Sequence, residues 1–130
     1  MSKILIYKGK KGWFEKPLAT FKEDQLYEGK KSFFEDPILS IRDGKVYKGK
    51  IGWFEDPIAT LIENEVFEGE KGLWENPIAT VIGTEVFKGR KGVFENPIAT
   101  LEKEDLMAGA TAAVMLLLLD KQEEGEEQEG

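Results

Sequence analysis

A period of 20 residues, repeated five times without insertion, restricts this chain to architectures assembled from near-identical pieces. The units are residues 6–25, 26–45, 46–65, 66–85 and 86–105. Gly9, Gly29, Gly49, Gly69 and Gly89 hold the fourth position of each unit. Glu15, Glu35, Glu55, Glu75 and Glu95 hold the tenth, and Pro17, Pro37, Pro57, Pro77 and Pro97 the twelfth. The second position is always aromatic: Tyr7, Tyr27, Tyr47, Phe67 and Phe87. Recurrence inside one chain reports what each unit needs in order to be built.

Each unit reads as two short strands. One carries the aliphatic–aromatic pair, as in Glu65-Val66-Phe67-Glu68, and ends at the Gly, which tolerates positive φ in a turn. The other is Pro-Ile-Ala-Thr-Leu, as in Pro57 to Leu61. It opens with Pro, which is allowed at a strand start but not inside a ladder. A tight turn is expected at the unit boundary, where Arg42-Asp43-Gly44-Lys45 contains the Asp-Gly hairpin signal.

Five such units can stack in two ways. In a β-solenoid, equivalent residues lie about 4.8 Å apart, so five Glu form a like-charged column and five Pro interrupt one ladder. In a ring of hairpins they lie roughly 10 Å apart and each Pro falls at a strand end. The segment that follows favours the ring. Residues 106–119 read LMAGATAAVMLLLL, apolar on every side and short for a membrane span, which needs about 20 residues. As a helix of about 21 Å it matches a six-residue strand of about 20 Å. Ten strands leave little room for a central helix, so small residues are expected on both sides. Ala19, Ala59, Ala79 and Ala99 supply them at position 14, with Leu39 the exception, and Ala108, Gly109, Ala110, Ala112 and Ala113 supply them in the segment. Asp105 is the expected N-cap. Leu106-Met107-Ala108-Gly109 also mimics the start of a sixth unit, so a closing strand before a shorter helix stays open.

The sequence therefore predicts a mainly β fold: five tandem hairpins in a closed, barrel-like or flower-like ring around an apolar C-terminal α-helix. A β-solenoid with a C-terminal helix is the alternative. Residues 1–119 form the single expected domain. Residues 120–130 hold six acidic side chains and one Lys, for a charge of −5, and are expected to be a disordered acidic tail. The rest of the chain, with 19 acidic and 17 basic residues, is nearly balanced. The apolar stretch at the start is too short for a signal peptide, and a cytoplasmic location is expected.

The combination of aliphatic-Tyr-x-Gly with Pro-Ile-Ala-Thr-aliphatic over residues 6–105 resembles bacterial repeat proteins of the β-flower type. That resemblance implies a fold and no particular activity. A barrel wrapped around an apolar C-terminal helix is also similar in architecture alone to tubby-like and scramblase-like proteins.

Neither Cys nor His occurs, which removes thiolate nucleophiles, Cys-ligated metals, the usual general base and the commonest neutral-pH metal ligand. Five equivalent Glu argue against catalysis, which needs unlike groups with separated pKa values. No enzyme activity, cofactor or metal is expected. Adjacent aromatic residues precede the Glu, and Trp13, Phe33, Trp53, Trp74 and Phe94 are the candidate ligand-stacking residues. On the bland reading, one of each pair packs beneath its loop. A basic rim is the second candidate: Lys10, Lys11, Lys30, Lys31, Lys50, Arg90 and Lys91. On the bland reading these are solvated turns. The leading expectation is a non-enzymatic scaffold or protein-interaction module. A binder of carbohydrate or nucleic acid through the loops, or a protein attached to membranes through 106–119, is the alternative. Nucleic acid and membrane are the less favoured partners.

Overall fold

The computed structural model describes residues 3–10, 16–30, 36–50, 56–70, 76–90 and 96–119. Their order along the chain follows the repeat. An opening strand, β1 (Ile4–Lys8), is followed by four tight hairpins. These are β2 (Ala19–Lys22) with β3 (Gln25–Glu28), β4 (Leu39–Arg42) with β5 (Lys45–Lys48), β6 (Ala59–Ile62) with β7 (Glu65–Glu68), and β8 (Ala79–Ile82) with β9 (Glu85–Lys88). The last strand is β10 (Ala99–Leu101), and the helix α1 (Leu106–Val114) comes after it. Every neighbouring pair is antiparallel, and β1 pairs with both β2 and β10, so the sheet is a closed barrel. The ring expectation holds and the solenoid does not.

The hairpin turns fall at the expected unit boundaries. Glu23 and Asp24 have φ of 52° and 62°, and Asp43 and Gly44 have 53° and 76°. Two consecutive positive φ values belong to the turn whose twist matches that of paired strands. At the other barrel end, Gly9, Gly29, Gly49, Gly69 and Gly89 have φ between 61° and 68° and take the chain out of β1, β3, β5, β7 and β9. Each Pro lies two residues before its strand, outside the ladder.

Strand alternation sends Ile6, Leu26, Val46, Val66 and Val86 inward, together with Ala19, Leu39, Ala59, Ala79 and Ala99, and all ten are fully buried. The second-position aromatics point the other way. Tyr7, Tyr27, Phe67 and Phe87 are nevertheless buried, as are Pro37, Pro57, Pro77 and Pro97, so a second apolar layer lies outside the wall.

The helix fills the barrel. Ala108 to Val114 are buried, and α1 packs against strands β3 to β10, most extensively against β8, β9 and β10. The uneven bulk of the wall accounts for this lean. Phe21, Leu26, Leu39 and Ile41 fill the β2–β4 side, whereas Ala79, Val81, Val86 and Ala99 line the side that the helix approaches. The approach is close enough that a Cβ on Gly109 would sit 2.6 Å from Val81 Cγ1. Asp105 caps the helix as expected, its carboxylate accepting a hydrogen bond from the Ala108 N–H at 3.0 Å. The buried Thr111 hydroxyl bonds back to the carbonyls of Ala108 and Met107. Among the described residues, no buried side-chain polar atom lacks a partner.

Two expectations are refined. The α-helix covers Leu106–Val114 rather than the whole of 106–119, and Met115–Leu119 winds as a π-helix. Leu106-Met107-Ala108-Gly109 does not form the closing strand. β1 occupies that place, with Ile6 opposite Leu101 and Lys8 opposite Ala99.

Candidate functional site

The two ends of the barrel differ. Odd-numbered strands run towards the end where the glycines lie, the loop end; the tight turns lie at the other, the turn end. A repeated set of hydrogen bonds finishes the loop end. The Gly29, Gly49, Gly69 and Gly89 N–H groups donate to the carbonyls of Leu18, Ile38, Ile58 and Ile78 at 2.6–2.8 Å. The hydroxyls of Thr20, Ser40, Thr60 and Thr80 donate to the carbonyls of the same glycines, again at 2.6–2.8 Å. The fifth copy closes the ring: Gly9 N–H donates to Ile98, and Thr100 donates to Gly9.

This rim places Leu18, Ile38, Ile58, Ile78 and Ile98 at the loop end, each half-buried and packed against the core. The helix adds to them. Leu106 and Met107 are exposed at the turn end, the middle of the helix is buried, and Leu116 to Leu119 are half-buried again. From Leu106 to Leu119 the rise is about 20 Å, against about 10 Å for a four-residue strand. The π-helical end therefore emerges at the loop end, as a leucine plug in a ring of five aliphatic residues. We call this surface the mouth.

Charge divides in the same way. Among the described residues, positions 3, 5 and 11 of the units, at the loop end, hold eight basic and five acidic residues. Positions 17 to 20, at the turn end, hold nine acidic and four basic ones. Of the expected basic rim, Lys10, Lys30, Lys50 and Arg90 are exposed at the loop end, whereas Lys11, Lys31 and Lys91 lie outside the described residues. Lys50 Nζ is 3.7 Å from Asp36, and Arg90 Nε is 3.7 Å from Glu65. Exposed pairs of this kind contribute about 0–1 kcal/mol each. The candidate stacking residues Trp13, Phe33, Trp53, Trp74 and Phe94 also lie outside the described residues, as do the five recurring Glu and the segment 120–130.

At the turn end, Gly83, Glu104, Asp105 and Leu106 line a shallow open cleft beside the helix start. Ile62 and Ile82 are exposed on the last residues of β6 and β8. The Tyr27 hydroxyl donates to Gln25 Oε1 at 2.8 Å. Burial, followed by the nearby carboxylates of Glu23 and Asp36, pushes its pKa above the ordinary value. Among the described residues no helix is long and apolar enough to cross a membrane.

Sequence reasoning placed Leu116 to Leu119 in the buried helix and gave position 13 no role beyond its strand. A signal was present: position 13 is always Leu or Ile, and the segment changes from Ala-rich to four successive Leu at its far end.

A closed meander of repeated hairpins, plugged by its own C-terminal helix, defines a structural class of repeat barrel. Residues 6–123 match the 6-fold beta flower protein family, and the chain belongs to that family. The described strands make five two-stranded units. The stretch in the place of a sixth, from Leu106 onward, is the helix. Comparison with curated proteins and with solved structures gives no match.

Proposed function

We propose that this chain is a non-enzymatic interaction module that docks a protein partner across the loop end. The observation that supports this reading best is the mouth. Nine half-buried aliphatic side chains are gathered on one end of a barrel whose interior is already filled. Apolar surface concentrated in this way marks contact sites more often than scattered exposure does. The basic excess among the described residues around it favours a partner segment that combines apolar with acidic residues. The cytoplasmic location expected from the sequence is part of the same proposal.

The test is site-specific photo-cross-linking in cells, with the reactive side chain at Ile58 or Ile98 in the mouth and at Ile62 or Ile82 in the turn end. A discrete protein adduct from the mouth positions alone is the expected result. Adducts that form equally from both ends, or from neither, count against the proposal. Leu117→Glu, which places a charge in the mouth beyond the end of α1, should abolish the adduct while leaving the thermal unfolding transition in place.

A further inference from the structure

We propose that the partner at the mouth is a second copy of this chain, docked mouth to mouth. This rests on the reading above and names its partner. Lys8, Glu28, Lys48, Glu68 and Lys88 end the strands that run to the loop end. They pair in register with Ala99, Ala19, Leu39, Ala59 and Ala79, which face the interior. Residues directly opposite in an antiparallel pair share a face, so these five also point inward, and all five are exposed. They form a charged ring around the leucine plug. The ion pairs Lys50–Asp36 and Arg90–Glu65 use none of them.

The signs run plus, minus, plus, minus, plus around the barrel, with Lys88 and Lys8 neighbours across β10. A twofold axis across the mouth reverses one ring against the other. With Lys88 on the axis, Lys8 meets Glu68 of the second copy and Glu28 meets its Lys48, and both contacts recur by symmetry. Four of the five contacts then join opposite charges. Placing Lys8 on the axis also gives four, but it turns Glu70 towards Lys50, which already lies 3.7 Å from Asp36. The first setting gives Glu70 Lys10 instead. The two leucine plugs and their aliphatic rings then shield each other from water. The acidic turn ends lie about 20 Å or more apart, beyond a Debye length of about 8 Å, and oppose pairing only weakly. Stacking a mouth on a turn end would set Glu28 and Glu68 against nine acidic residues and would leave the assembly open-ended.

Sedimentation equilibrium of the purified full-length chain should show a species of twice the 14.7 kDa chain mass and nothing larger. Glu68→Lys sets Lys against Lys8 twice and should weaken pairing roughly tenfold or more. Adding Lys8→Glu should restore it to within about threefold. Adding Lys48→Glu instead, with the same net charge, should not. β7 and β1 lie about 19 Å apart along the sheet, so no contact inside one copy explains the rescue. The thermal midpoints of these surface variants should stay in place. A monomer at every concentration, species beyond the dimer, indifference to Glu68→Lys, or rescue by Lys48→Glu in place of Lys8→Glu overturns the inference. The photo-adduct is read separately. An Ile58 adduct of any mass other than twice that of the chain sinks the second copy and leaves the mouth reading standing, whereas no adduct from Ile58 or Ile98 sinks the mouth reading itself.

Discussion

The Thr100 hydroxyl donates to the Gly9 carbonyl oxygen at 2.7 Å, joining two residues 91 positions apart. The same bond occurs four times between residues only nine apart, from Thr20, Ser40, Thr60 and Thr80. One local instruction is thus used four times inside the chain and once to shut the barrel. Thr100→Val should cost about 1 kcal/mol, the ordinary net value of a hydrogen bond, and Thr60→Val should cost a similar amount. Urea unfolding of the two variants checks this. A much larger loss for Thr100→Val would mean that closure depends on that hydroxyl beyond its bond strength.

Gly109 and Val81 mark the tightest contact between helix and wall. Gly109→Ala improves helix propensity by about 1 kcal/mol, yet overpacking costs about 1–3 kcal/mol, so a net loss is expected. Val81→Ala opens the space that the new methyl needs. The two substitutions together should be less destabilising than the sum of their separate effects, which a double-mutant cycle measures.

The turns allow a paired test. Gly44→Ala places a Cβ 2.9 Å from the Leu61 carbonyl oxygen at φ of 76°, and a loss of about 1–2 kcal/mol is expected. Asp24→Gly relieves a non-glycine residue at φ of 62° in the equivalent turn and should raise stability by about 0.5–1 kcal/mol. Thermal midpoints that move in opposite directions meet the expectation.

Tyr27 ties stability to alkaline pH. Its pKa in the folded chain lies above the ordinary tyrosine value, first through burial and then through the charges of Glu23 and Asp36. As pH rises through the ordinary tyrosine value, the unfolded chain releases the proton before the folded chain does. The folded state then binds more protons, and stability falls as pH rises. Tyr27→Phe should flatten the fall in unfolding free energy above about pH 10, and an unchanged slope would refute this assignment.

Much of the wall was legible in the sequence because its constraints are local. Asp43-Gly44 announces a turn by itself, and Pro57 and Glu55 weigh against a stacked coil by sterics and charge. Glu23-Asp24 carries no such signal; the repeat places a turn there, and both residues take positive φ. The small residues at Ala79, Ala99 and Gly109 predicted a helix inside, but not its lean towards β8–β10, which depends on the distribution of bulk around the whole ring. The mouth was less legible. Ile58 precedes the regular alternation of its strand, and Leu117 belongs to a segment apolar on all sides, so neither pattern says which end protrudes. Nor does the sequence reveal that β1 takes the place that Leu106 to Gly109 mimic, because two similar segments compete for one edge and only packing decides.

The closing pair of strands also sets a timetable. On a ribosome the four tight hairpins can form as they emerge, since their partners are neighbours. β1 is made first and has only β2 to join until β10 appears. The interior meanwhile lacks its filling, because the helix is synthesised after every strand. Assembly of the finished barrel therefore waits until β10 and the helix have been made, and a chain halted before residue 99 would be left with two bare sheet edges and an empty centre.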